Sequence, residues 1–556
     1  MEASLRGVST RLDAGVRSDA EGPIDRHRAR PVSTLSELFA PLDRLLGSGG
    51  DPRLNIDPAS ATNDYGCRLS PCPNVPSFAS STATSISERA YGHVGRARQS
   101  LMRCAVARGM DEAFDARIEA MRDELKACLG LSPDAAEVIF SPSGTDSQLH
   151  ALLLVRALLG PALTSVIVAA DQTGSGTAET ARGHHFSTAT ATGSRVRKGE
   201  PVAGPARSVA SVAIGLLDER GDCRAEAETD AMVLGAIEAS LANGTRILLQ
   251  IMDCSKLGWR APSEQCLDEI AARWPDRVQI VVDACQMRLG RPRLRKYLDR
   301  GYLVIVTGSK FFTGPAFSGA LLVPASLANA VGAIGGIAPG FRAYSSRSDW
   351  PVHWRALRSC FPVRANLGQW LRWEAALEEI RAYHAVPDRF RLRALTRFGQ
   401  AVERIIASSP SLRLLPPQRR PGHGGLDDEE LAQPTIFPFA IRHGDRDLTL
   451  AEGRTIYRAL AKGVEDAASA NGCDRAAEPC LVGQPVAWQR GGLQPAALPR
   501  ICASARLVTE AWSSDVAIAD RNLQCEIGRV AAVVANIERL VSHLPGLNPT
   551  ELSHAS

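Results

Sequence analysis

Short runs of Val, Ile and Leu alternate with longer helical patterns between about residues 130 and 325. AAEVIFS (135–141), TSVIVAA (164–170), SVAIGLL (211–217) and RILLQIM (246–252) read as strands. So do VQIVVDA (278–284), YLVIVTG (302–308) and GALLVP (319–324). Between them, 146–159, 230–244 and 263–273 carry helical spacing. Nearly continuous apolar strands suit a sheet covered on both faces, because neither side then meets water. The alternation predicts an α/β domain with a parallel or mixed sheet.

The flanks read differently. Residues 1–34 are polar and Arg-rich without sustained periodicity, which predicts a loose tail. Residues 34–46 predict a short helix capped by Ser33 or Ser36. Residues 48–87 are rich in Gly, Pro, Asn and Ser and predict irregular chain; 88–129 is helical. After a Gly-rich loop (332–340), 367–385 predicts a long helix. TIFPFAI (435–441), LVGQPVAW (481–488) and RICASARLV (500–508) read as strands, and 522–543 as an amphipathic helix. The expected organisation is a flexible tail and short helix (1–48), an arm with a large domain (49–366), and a smaller C-terminal α/β domain (367–556). The most apolar window, 149–170, contains Arg156 and is broken by Gly160-Pro161. A buried helix followed by a buried strand explains it better than a membrane span.

Composition narrows the class. The chain has 556 residues, 45% hydrophobic and 22% charged, enough apolar material for a sizeable core. A net charge of +4 without clustered base argues against a nucleic-acid partner. Thirteen scattered cysteines form no CxxC pair and lack the companions of a zinc site, so no metal is expected. With residues 1–35 lacking the apolar run of a secretory leader, a reducing, cytoplasmic setting is expected and no membrane. Of 64 basic residues only six are lysines, so a lysine in a demanding context stands out.

Candidate chemistry falls at the carboxyl ends of predicted strands, where open α/β sheets bind ligands. In SPSGTDSQLHAL (141–152), Ser143-Gly144-Thr145 turn from a strand into a helix start. Small residues there let backbone N–H groups approach an anion such as a phosphate. In VVDACQ (281–286), Asp283 ends an apolar strand, a costly placement without a cationic partner, and Gln286 follows. In TGSKFFTGPAFSGALLVP (307–324), Lys310 follows a strand inside a Gly/Ser/Thr loop, where a desolvated amine can form a Schiff base. Phosphate turn, carboxylate and lysine, in that order, are what pyridoxal 5′-phosphate requires.

On these residues the chain resembles the fold-type I pyridoxal-phosphate enzymes of the class-V aminotransferase and cysteine desulfurase group. The likeness covers about 130–325, and 360–510 more loosely. Its most specific pieces are D-x-x-Q (Asp283, Gln286) and K-x-x-x-G-P-x-x-x-G (Lys310, Gly314, Pro315, Gly319). It implies a large domain with a mixed, mostly parallel sheet between helices, plus a smaller C-terminal α/β domain. It also implies pyridoxal 5′-phosphate held on Lys310 as a Schiff base, with Asp283 at the pyridine nitrogen and Gln286 at the ring hydroxyl. Gly144 and Thr145, beside Ser143, would hold the phosphate, with Thr307 and Ser309. Arg500, or second Arg506, would grip a substrate carboxylate. Asn366 would reach the neighbouring subunit's phosphate in a homodimer.

Three positions depart from the family. Ser309 stands before the lysine where a His is frequent. Gln172 or Thr173 stands where a His covers the ring, and Ser255 where an Asn is usual. The expected substrate is a small amine or amino acid. The first expectation is an aminotransferase-type reaction, with Lys310 as the base for the α-proton. A lyase, cysteine desulfurase or decarboxylase is the alternative, and a catalytically silent binding protein the non-enzyme one. A desulfurase would need a reactive thiol, for which Cys473 and Cys480 are the nearest candidates; neither lies in a clearly positive setting.

Overall fold

In the computed structural model the described residues are 35–202, 209–415, 429–463, 479–489 and 494–542. The expected tail, Ser33 and Cys473 lie outside them. The chain builds two sheets. Its strands are β1 (Ser77–Phe78), β2 (Ala136–Ser141), β3 (Leu163–Val168), β4 (Ala210–Ile214), β5 (Arg246–Met252), β6 (Val278–Asp283), β7 (Leu303–Thr307) and β8 (Gly319–Pro324). The last part adds β9 (Leu412–Leu414), β10 (Ile436–His443), β11 (Arg446–Asp447), β12 (Leu481–Trp488) and β13 (Ala496–Cys502).

The larger sheet runs β2-β8-β7-β6-β5-β3-β4. Only β8 is antiparallel to its neighbours, so the other six strands point the same way. Side chains of β3, β7 and β8 are buried along their whole lengths, and those of β2 at every position but Glu137, as expected of strands covered on both faces. The fold class expected from the sequence is the one observed. Window 149–170 is a helix ending at Leu159 followed by β3, and no helix among the described residues is long and apolar enough to cross a membrane.

The second sheet runs β1-β12-β13-β10-β11, with β9 on β10. Here the sequence reading needs amendment. Residues 500–508 are not one strand: β13 ends at Cys502, and Ser504 caps a helix over Ala505–Ala511 by accepting from Leu507 N. Proline 41 splits the first helix into a 3-10 turn, Leu35–Phe39, and Leu42–Leu46. Gly109, at φ 86°, divides the next helical stretch into Glu88–Arg108 and Met110–Cys128. The irregular arm, assigned by sequence to the large domain, crosses to the second sheet, because β1 pairs in parallel with β12.

Candidate active site

Because six strands share a direction, the loops that follow β2, β3, β5, β6 and β7 emerge on one edge. They enclose a cavity of about 500 Å³, within the roughly 300–1,000 Å³ usual for small ligands. Gly319, the first residue of β8, pairs with both Ser141 and Thr307, so the ends of β2 and β7 flank it.

The loop after β2 enters the helix Gly144–Leu159. Ser143 caps it, accepting from Asp146 N at 3.3 Å and donating to Asp146 Oδ2 at 2.6 Å. The N–H groups of a first helical turn have no carbonyl within the helix. Ser143, Gly144 and Thr145 line the cavity, so these donors and the positive helix end sit at its wall. Glycine is required at 144: a Cβ there would fall 2.5 Å from Cys285 Sγ. Behind this turn, burial pushes the Asp146 carboxyl up to about 7.

Asp283 ends β6. Its Oδ1 accepts from Cys285 N at 3.1 Å and its Oδ2 from Gln148 Nε2 at 3.2 Å. Among the described residues it forms no ion pair, although it lines the cavity. Gln286 donates to Ser81 O at 3.1 Å and accepts from Arg288 Nη1 at 2.8 Å, so one of its amide hydrogens is uncommitted. Arg288 also binds Ser80 Oγ and Thr435 Oγ1, tying this loop to the arm and the second sheet.

Lys310, after β7, donates to Thr82 O. Burial brings its amine down to about 8, with Arg500, Arg53 and Arg288 acting the same way. Ser309 and Thr307 precede it on the wall. The Thr307 hydroxyl donates to Cys285 O at 2.7 Å, so its proton is not available to a ligand. Beyond β3, Gln172 Oε1 accepts from Ser255 Oγ at 3.0 Å, while Gln172 Nε2 is buried without a partner. Thr173 is beside it on the wall.

The facing wall comes from the arm and the second sheet. Arg500, on β13, is 1% exposed, and burial lowers its guanidinium to about 10. It donates to Thr82 Oγ1 at 3.0 Å, Ser81 Oγ at 3.2 Å and the Gln484 carbonyl. Its partners are neutral oxygens, none a carboxylate. From the arm come Arg53, Asp64 and Tyr65; Arg53 is held by Asp51 at 2.9 and 3.1 Å and lies over the Phe317 ring.

Twelve of the expected residues thus share one cavity, and two do not line it. Asn366 is buried as the cap of the helix Leu367–Ala385, accepting from Gln369 N and donating to Gly49 O. Arg506 donates to Ser85 O and Thr313 O, each at 2.9 Å. Cys480 is 2% exposed and burial pushes its thiol up to about 12. Sequence reasoning missed Arg53, Gln148, Lys256 and Arg288. Lys256 carried a signal, being one of six lysines and following a strand; the others carried none.

No protein-family model matches the sequence, and no curated protein matches it. Similar solved structures include a NifS-like protein from Rickettsia africae ESF-5, at 10% identity and TM-score 0.47, covering 84% of this chain and 99% of that one. A second NifS-like protein stands at 13% and 0.43, covering 82% and 99%. Oryza sativa TDC with PLP and tryptamine stands at 13% and 0.47, covering 84% of each chain. Identity this low leaves the role of each residue to the geometry above.

Proposed function

We propose that the protein is a pyridoxal 5′-phosphate-dependent enzyme acting on an amino acid or another primary amine through Lys310. One observation carries this reading: a helix start with free N–H donors, a carboxylate without a cationic partner and a buried amine meet on one cavity. The donor set fits each polar part of that cofactor. Gly144 and Thr145 N–H and the Ser309 hydroxyl suit its phosphate. Asp283 suits a protonated ring nitrogen, the spare Gln286 amide hydrogen the ring hydroxyl, and Lys310 the aldehyde. The orphan Nε2 of Gln172 is a buried donor that a bound group would satisfy.

When bound, the cofactor supplies an electrophilic carbon and a ring that draws electron density from the substrate Cα. This chain's residues do the rest. Arg500 presents a planar, carboxylate-free guanidinium that orients a substrate carboxylate. Asp283, fixed by Cys285 N and Gln148, holds positive charge opposite it. Lys310 Nζ, lowered to about 8, is partly unprotonated near neutral pH and can take a proton at Cα and return it.

Within this class we favour an aminotransferase-type reaction, which asks for proton transfers and no thiol. Lyase and decarboxylase readings draw on the same residues. A desulfurase using Cys480 is disfavoured by that thiol's burial. A homodimer, testable by sedimentation at low concentration, belongs to the proposal; within its own chain Asn366 is committed to Gln369 N and Gly49 O. The central test is borohydride reduction of the purified protein followed by peptide mapping. Cofactor fixed to the Lys310 peptide is expected. Labelling at another lysine would overturn the assignment.

A further inference from the structure

The cavity holds more positive charge than one amino-acid carboxylate needs. Its walls carry Arg53, Lys256, Lys310, Arg454 and Arg500 against Asp64 and Asp283. Arg53 is already neutralised by Asp51. In the function proposed above, Lys310 and Asp283 are taken up by the cofactor, and Arg500 by the α-carboxylate. Arg454 is exposed, where water solvates it.

Lys256 is the remainder. It follows Ser255 in the turn after β5, on the same wall as Asp283 and Lys310. Among the described residues it makes no hydrogen bond and no ion pair. The turn itself is rigid: Ser255 Oγ accepts from Leu257 N and Trp259 N, both at 3.1 Å. Lys256 is half-buried, and an ammonium partly withdrawn from water with no ion-pair partner is stabilised by a ligand that brings a negative charge.

We propose that Lys256 is a specificity-determining residue that binds a second anionic group on the substrate, so that the substrate is an amino acid with an acidic side chain. The amino-acid part of this statement, and the commitment of Lys310, Asp283 and Arg500 to other groups, rest on the proposed function; the excess of positive side chains and the absence of an ion pair at Lys256 among the described residues are properties of the cavity itself. Electrostatics agree. Burial and the charges of Arg500, Lys310 and Arg53 bring the Lys256 amine down to about 7, with Asp283 opposing them. A bound anion would restore the proton, so binding weakens as pH rises above about 7.

The second anion could be a carboxylate or a phosphonate, and the two are separable. Calorimetric titration of the purified protein would compare butyrate with glutarate and with 3-phosphonopropionate, none of which carries an amine. At pH 6.5 at least one dianion should bind about tenfold or more tightly than butyrate, the scale of one charge-assisted hydrogen bond. Whichever dianion gains more identifies the group. Lys256→Gln should abolish the gap and leave butyrate unchanged; Lys256→Arg should keep it. In the wild type the gap should shrink between pH 7 and 9. Equal affinities for all three probes, or equal weakening of butyrate and dianions in Lys256→Gln, would overturn the inference. Cofactor content, read from the absorbance of released cofactor, is measured on the same samples. A protein without cofactor that still prefers the dianion would sink the proposed function and leave this inference standing.

Discussion

On one side of the cavity, Asp283 is the last residue of β6, Thr307 the last of β7, and Gly144 follows β2 by three positions. On the other, Thr82 and Arg500 meet across 418 positions of chain. The first side is pinned by sheet pairing in continuous register. The second joins Arg500, held in register by β10 and β12, to irregular chain through a two-residue parallel pairing of β1 with β12 and side-chain hydrogen bonds, such as Ser80 Oγ to Ala503 O at 2.7 Å. A wall set by sheet register holds atoms in place for chemistry. A wall completed across such a seam by a few side-chain bonds tunes what is admitted. Substitutions on the first side should act on turnover, and those on the second on binding.

The largest effect should come from Asp283→Ala. Removing a preorganised charge from such a site typically costs about 3–4 kcal/mol. We expect kcat to fall at least about 10²–10³-fold while the melting temperature shifts little; near wild-type turnover would break the contrast. Next is Gly144→Ala, which places a methyl against Cys285 Sγ. Overpacking of this kind costs about 1–3 kcal/mol. Thermal unfolding should show the loss, and Cys285→Ala in the same chain should recover most of it.

On the facing wall, Arg500→Lys keeps the charge but loses the fork to Ser81 and Thr82. KM for an amino acid should rise about tenfold with kcat nearly unchanged, the size of one lost charge-assisted hydrogen bond. The smallest effect belongs to two cysteines, of which Cys480 lines neither wall. Cys473→Ser with Cys480→Ser should leave turnover within about threefold, since Cys480 is buried with a raised thiol pKa. Loss of activity with cofactor retained would bring back the desulfurase reading.

The same contrast explains what could be read from the amino-acid order. Asp283, Lys310 and Ser143-Gly144-Thr145 lie next to strands whose apolar runs announce them. Strand bounds 246–252, 319–324 and 481–488 and helix 367–385 agree with the structure to the residue. Gln286 was legible from its spacing to Asp283. The facing wall was not: Ser81 and Thr82 lie in irregular chain, and only tertiary pairing with β12 carries them to Arg500. Asn366 was expected at a phosphate on the family resemblance, while its place before a helix asks for a cap, which is what it forms on Leu367–Ala385. The strand expected over 500–508 failed because apolar residues continue past Ser504, and a capping serine turns them into a helix.

The pairing of Ser81 and Thr82 with Arg500 also sets a clock on synthesis. A ribosome adds about 5–20 residues per second, so Arg500 emerges roughly 25–100 s after the chain begins. Strands β2 to β8 are all made before that, and the sheet with its carboxylate and lysine can form on the nascent chain. Until the last fifth of the polypeptide arrives, that surface stands open on one side, a half-built vessel waiting for its lid.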